Sequence, residues 1–219
     1  MLRTVLLSTA ALALAVTAAS AAPVNSKLSN GLAVTNVTRG QQSIGVYVSH
    51  APKGGTVIFD SIGSGYNCCN GWTISAPSSA IGEQFWVADQ VTPTGNGKVT
   101  SIAAGVGYVT GTNSVELAIY ADSSGVPGKM LWSGDESNLP VFGQTSTGTV
   151  GGKVKRVKLK ANKPIWVAVQ TDSNSSDTWD AWNQSNTTDA PLASNQGSGW
   201  INEGSATAGA VTLMGKVKK

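Results

Sequence analysis

Two cysteines, Cys68 and Cys69, stand side by side, and the chain contains no third. Neighbouring Cα atoms across a trans peptide lie about 3.8 Å apart, below the usual disulfide range of roughly 4.4–6.8 Å, so a bond between the two closes a tight eight-membered ring. An oxidising compartment favours this vicinal disulfide, with two reduced thiols or an intermolecular bridge as the alternatives. The ring would either stiffen a tight turn between Gly65 and Gly71 or, with Tyr66 and Trp72, form a small apolar platform on which a sugar ring stacks. Redox catalysis fits less well, because no Cys-x-x-Cys is present.

Seven tryptophans exceed what a minimal core requires. Core packing is the default for any single one. Trp72 and Trp200 each follow a glycine, which marks them as candidates for exposed platforms. Trp179 and Trp182 are three apart, so an extended strand puts them on opposite faces and at most one points outward. The candidate ligand-binding residues are therefore Tyr66, Trp72, Trp182 and Trp200.

Paired carboxylates would suit glycoside hydrolysis, and Asp177 and Asp180 with Glu83, Asp135, Glu136 or Glu203 are available. Most aspartates here sit beside Ser, Asn or Gly, which is a turn signature. Asp122, within Asp-Ser-Ser-Gly, offers oxygen ligands for calcium but fits no EF-hand loop. His50 is the only imidazole, lying beside Ala51-Pro52, and no Gly-x-Ser-x-Gly, Walker loop, Gly-x-Gly-x-x-Gly or His-Glu-x-x-His occurs. No catalytic residue, cofactor or metal site is assigned.

One segment is densely basic: Lys153-Val154-Lys155-Arg156-Val157-Lys158-Leu159-Lys160. Val157 and Leu159 share a parity that Val154 lacks, which places a bulge near Lys155-Arg156. Lysines of this kind protect an edge strand from pairing with another chain. An anionic polysaccharide or cell-envelope contact is the functional alternative. A nucleic-acid partner is not expected, because the formal net charge is only +3 and loses one unit if Arg3 is removed.

The elements that must position these residues are short. The 219 residues include 26 glycines and 8 prolines, with only 12% charged and 41% hydrophobic residues. This is the composition of a loop-rich β protein with enough apolar residues for a core. Met1-Leu2-Arg3, the apolar run Val5 to Val16 and Ala19-Ser20-Ala21 read as a signal peptide over residues 1–21, cut after Ala21. The protein is thus expected to be secreted, periplasmic or on the cell surface, with no membrane anchor in the mature chain. Residues 22–53 read as a polar leader carrying at most one strand, at Ile44 to Val48. A domain over 54–216 follows.

Within that domain Val115, Leu117 and Ile119 alternate with Glu116, Ala118 and Tyr120, the period of a half-buried strand. Ile165, Val167 and Val169 face one way while Trp166 and Ala168 are apolar on the other, so this strand lies in a sheet covered on both faces. Further strands are expected at Val57 to Phe59, Gln84 to Val91, Lys98 to Val109, Met130 to Trp132, Val154 to Leu159, Thr178 to Asn183 and Ala210 to Lys216. Nothing supports a helix of more than two turns. The fold class is all-β, an antiparallel β-sandwich of jelly-roll type.

The runs Tyr66-Asn67-Cys68-Cys69-Asn70-Gly71-Trp72-Thr73-Ile74-Ser75, Val109-Thr110-Gly111-Thr112-Asn113 and Tyr120 to Gly128 resemble the bacterial exported domain called choice-of-anchor R. The likeness continues through Leu131-Trp132-Ser133-Gly134 and Trp179-Asp180-Ala181-Trp182-Asn183, spanning Phe59 to Met214. It implies a secreted or surface β-sandwich and no established activity or catalytic residues. Unlike anchored members, this chain shows no C-terminal sorting helix.

The expected function is a non-catalytic exported module that contacts extracellular polysaccharide or a cell-envelope component. The alternatives are a glycan-active hydrolase using two carboxylates, and a purely structural envelope component.

Overall fold

The computed structural model describes residues 22–29, 31–37, 44–46, 55–144 and 148–218. The expected signal segment and His50 lie outside them. Among the described residues there is no helix. The strands are β1 (Val24–Lys27), β2 (Ala33–Asn36), β3 (Ile44–Val46), β4 (Thr56–Asp60), β5 (Gly65–Ser75), β6 (Trp86–Val91), β7 (Gly97–Ala104), β8 (Val106–Thr110), β9 (Ser114–Ser123), β10 (Val126–Ser137), β11 (Lys158–Leu159), β12 (Ile165–Gln170), β13 (Trp179–Asn195), β14 (Trp200–Gly209) and β15 (Val211–Val217).

All strand ladders among these residues are antiparallel. They form a large sheet, β1-β2-β5-β13-β6-β12-β9-β10, to which β3, β8 and β14 attach, and a four-stranded sheet, β11-β7-β15-β4. The two pack as a sandwich. Val99 and Ile102 of β7 and Val211 and Leu213 of β15 meet Val87, Leu117, Ile119, Val167, Val169 and Leu192 of the large sheet in one core. Each such side chain contributes about 1.5–3 kcal/mol on burial.

The alternation in β9 and β12 is as expected. All six residues of β12 are buried, with the odd-numbered valines in the main core and Trp166 and Ala168 in a second cluster on the outer face. The turn between β9 and β10 pairs Ser123 with Val126 and places Ser124 (φ 55°) and Gly125 (φ 86°) in the left-handed region, the geometry of a two-residue hairpin loop.

Several elements differ from expectation. Lys98 to Val109 divides between two sheets, as β7 and β8, because the chain turns at Gly105, whose missing side chain leaves room for the Tyr66 ring. The strand expected at Met130 to Trp132 extends over twelve residues as β10, and that at Thr178 to Asn183 over seventeen as β13. The two halves of β13 have different neighbours: Trp179 to Ser185 pairs with β5 and β8, and Asp189 to Asn195 with β6 and β14. Of Val154 to Leu159 only Lys158–Leu159 joins a ladder, and Arg156 takes a φ of 68° where the bulge was expected. The residues expected to form a leader supply β1, β2 and β3, all attached to the large sheet through β5, and Leu32 and Val34 enter the main core.

Candidate functional site

The cysteine turn lies within β5. Cys68 and Cys69 form a vicinal disulfide, and both residues are buried. Asn67 organises the turn: its side-chain oxygen accepts the backbone N–H groups of Cys69 (2.9 Å) and Asn70 (3.0 Å), while its carbonyl accepts the Asn183 side-chain amide (2.7 Å). The carbonyls of Cys68 and Cys69 accept the N–H groups of Gly143 and Val37. These contacts make the ring a rigid internal element.

Burial corrects three of the four expected ligand-binding aromatics. Tyr66, Trp72 and Trp182 are 0%, 3% and 0% exposed, so none offers a face to a ligand. Tyr66 packs with Ile62 and Ala210 and donates its hydroxyl to Gly148 O (3.0 Å). Trp72 and Trp182 sit directly opposite one another on β5 and β13, inside the main core. Their indole N–H groups reach the carbonyls of Thr207 (2.9 Å) and Ala210 (3.1 Å), which removes the cost of burying them. Gly71, at the end of the expected turn, instead allows a close approach: a Cβ there would stand 3.0 Å from Trp182 O.

Trp200 is the candidate that remains at the surface, and the fold supplies its partners. Across β13, β6, β12 and β9 runs a row of alanines in register, Ala193 opposite Ala88, Ala88 opposite Ala168, and Ala168 opposite Ala118. These small side chains form a shallow floor on the outer face of the large sheet. Trp166 and Tyr120 are buried beside it, and half-buried Trp200 packs against the cluster. Asn195 faces Trp200 on one side and Trp86 on the other, so the two indoles flank it. Their ring centroids are 6.4 Å apart at 48°, and Tyr120 meets Trp200 edge-on at 5.7 Å.

Polar groups surround these rings. The Trp86 indole donates to Thr171 Oγ1 (2.9 Å), and the Gln84 amide to Asn195 Oδ1 (3.2 Å). Tyr120 donates to Gln170 Oε1 (2.7 Å), and burial pushes its phenol up to about 12. The Gln170 amide in turn lies 3.5 Å from Glu116 Oε2. Glu116 on β9 is directly opposite Asp135 on β10. Burial raises the Glu116 carboxyl above its ordinary value, the neighbouring Asp135 charge adds to the rise, and hydrogen bonds from Ser133 and Gln170 oppose it.

Nothing in the sequence pairs Glu116 with Asp135, which only the β9–β10 register brings together, and Asp177, Glu83 and Glu203 have structural partners. Asp177 is exposed and caps Thr112, whose hydroxyl (2.7 Å) and N–H (3.1 Å) hold its carboxyl below the usual range. Asp180 is buried, Glu83 pairs with Lys27 (3.0 Å), and Glu203 accepts the Ser194 hydroxyl. Asp122 Oδ1 accepts the Trp166 indole (2.8 Å) and the Gln90 amide (3.2 Å), while Oδ2 accepts the Gly125 N–H of the hairpin loop (3.3 Å), so these oxygens are structural acceptors.

No family model, curated protein or solved structure matches this chain.

Proposed function

We propose that this is an exported, non-catalytic β-sandwich that contacts carbohydrate through the outer face of its large sheet. The observation that carries this reading is the pair of half-buried indoles, Trp86 and Trp200, held side by side by Asn195 and Tyr120. Rings fixed in this way stack on the C–H faces of sugars at little conformational cost. The signal-like first 21 residues and the resemblance to choice-of-anchor R domains support an exported location.

The test is a titration of the purified protein with soluble polysaccharides and oligosaccharides, followed by tryptophan fluorescence. A saturable shift that is lost in Trp86→Ala and Trp200→Ala, with an unchanged melting curve, is the expected result. No shift across the panel would overturn the reading and leave a structural component.

A glycan-active hydrolase is the second reading, and the Glu116–Asp135 pair favours it. One carboxyl with a raised pKa opposite an exposed carboxylate is the pattern of an acid and its partner in glycoside hydrolysis. Release of reducing ends from a bound polysaccharide, abolished in Glu116→Gln, would establish it. Binding without turnover supports the first reading.

A further inference from the structure

We propose that the outer face of the four-stranded sheet is a second binding site, for a linear polysaccharide carrying carboxylate or sulfate groups along its length. Lys98 of β7 is directly opposite both Lys158 of β11 and Lys216 of β15, which makes a row of three lysines across adjacent strands. Directly opposed side chains on one sheet face have Cβ atoms about 4.5–5.5 Å apart, and like charges so placed destabilise the sheet. A second row lies two residues further along. There Asn96 accepts the Lys218 N–H on its carbonyl (2.7 Å) and the Ala161 N–H on its side chain (3.1 Å), with Lys160 and Lys218 on either side.

All five lysines are exposed, and together they line a groove of about 570 Å³. Its lining contains no acidic residue. Edge protection explains Lys158 and Lys160, beside the edge strand, but not Lys98 and Lys216, which belong to the interior strands β7 and β15. Acidic residues are scarce in this sheet. Of the twelve acidic residues only Asp60 belongs to the four-stranded sheet, on its far strand β4, where its carboxylate accepts Thr212 Oγ1 (2.8 Å). An electropositive face without internal counter-charges lowers its own repulsion by binding an anion.

The lining favours a glycan over other polyanions. Adjacent strands are ~4.8 Å apart, comparable to the length of one pyranose residue, so the three-lysine row matches a chain with a charge on each sugar. The apolar part of the lining open to a ligand is Val217 and the lysine methylenes, which suits sugar C–H groups. No aromatic side chain lines the groove to stack nucleobases, and Leu159 is buried and Val217 half-buried, which leaves nothing prominent to insert into a bilayer. This inference does not rest on the aromatic face, which belongs to the other sheet.

The test uses the purified protein and oligogalacturonate of defined length, followed by calorimetry at several salt concentrations. The expected result is saturable binding that weakens roughly tenfold or more between 50 and 200 mM salt, whereas any binding of a neutral dextran of equal length is insensitive to salt. Lys98→Gln/Lys216→Gln should lose at least tenfold in affinity and keep or raise the melting temperature, whereas Lys98→Arg/Lys216→Arg should bind like the parent. Unaltered affinity in the glutamine variant, or no binding to oligogalacturonate or to a sulfated glycan, overturns the proposal. Tighter binding to a single-stranded oligonucleotide or to phosphatidylglycerol vesicles, lost in the same variant, overturns the assignment to a glycan.

Discussion

Gly209 lies against the indole of Trp182: a Cβ added to it would come within 2.2 Å of Trp182 Cε2 and 2.4 Å of Cδ2. Trp182 cannot withdraw, because it is fully buried opposite Trp72 with its N–H on Ala210 O. The end of β14 is therefore fitted to one ring. Gly209→Ala should cost about 3 kcal/mol or more, since overpacking a closed core forces backbone or rotamer shifts. Chemical denaturation measures this, and a loss below about 0.5 kcal/mol would show that the core yields there.

Asp89 is fully buried on the core-facing side of β6, opposite Leu192 and Val167, and among the described residues neither carboxyl oxygen has a close hydrogen-bond partner. Burial raises its carboxyl well above the ordinary range, and the nearby Gly209 N–H offsets only part of that rise. Asp180 is raised in the same way, with the Val109 N–H at 3.4 Å as partial compensation. The folded protein therefore holds protons that the unfolded chain gives up near pH 4. The contribution of these two groups is most favourable below that pH and falls as pH rises towards the folded values, by up to about 1.4 kcal/mol per pH unit for each group. Asp89→Asn should be more stable than the parent at pH 8 and show a flatter dependence between pH 4 and 8. Urea midpoints across that range decide it, and a parallel decline in the variant would remove Asp89 as a source.

The vicinal disulfide encloses no residue between its cysteines, so it removes little entropy from the unfolded chain. Its chain-entropy contribution is about 1 kcal/mol, well below that of a long-range bridge. Cys68→Ala/Cys69→Ala should lose about that amount and retain the fold. Because both residues are buried, thiol labelling after mild reductant should remain low in the native protein and appear only on unfolding. Loss of folding in the double variant would show instead that the ring organises β5.

Much of the fold was legible because strand alternation is local. Val115, Leu117 and Ile119 sort to one face, and Ile165 to Val169 is covered on both, each readable from a few neighbouring residues. The adjacency of Cys68 and Cys69, with no third cysteine in the chain, likewise left few ways to pair them. The binding faces were not legible in this way. Trp200 and Trp72 share the same local mark, a preceding glycine, yet one reaches the surface and the other enters the core, because burial depends on which sheet face the distant strands cover. Trp86 carried no mark, standing between Phe85 and Val87, and faces outward only through the register that sets it opposite Asn195.

The same holds for charge. The sequence showed the lysines of residues 153–160 but not that Lys98 and Lys216, far away along the chain, align with Lys158 in one row. Register is a long-range property, and a slip of one residue would turn Lys98 inward and Val99 outward. Local alternation and turn chemistry thus determined that this chain forms strands, while only tertiary pairing decided which side chains share a face.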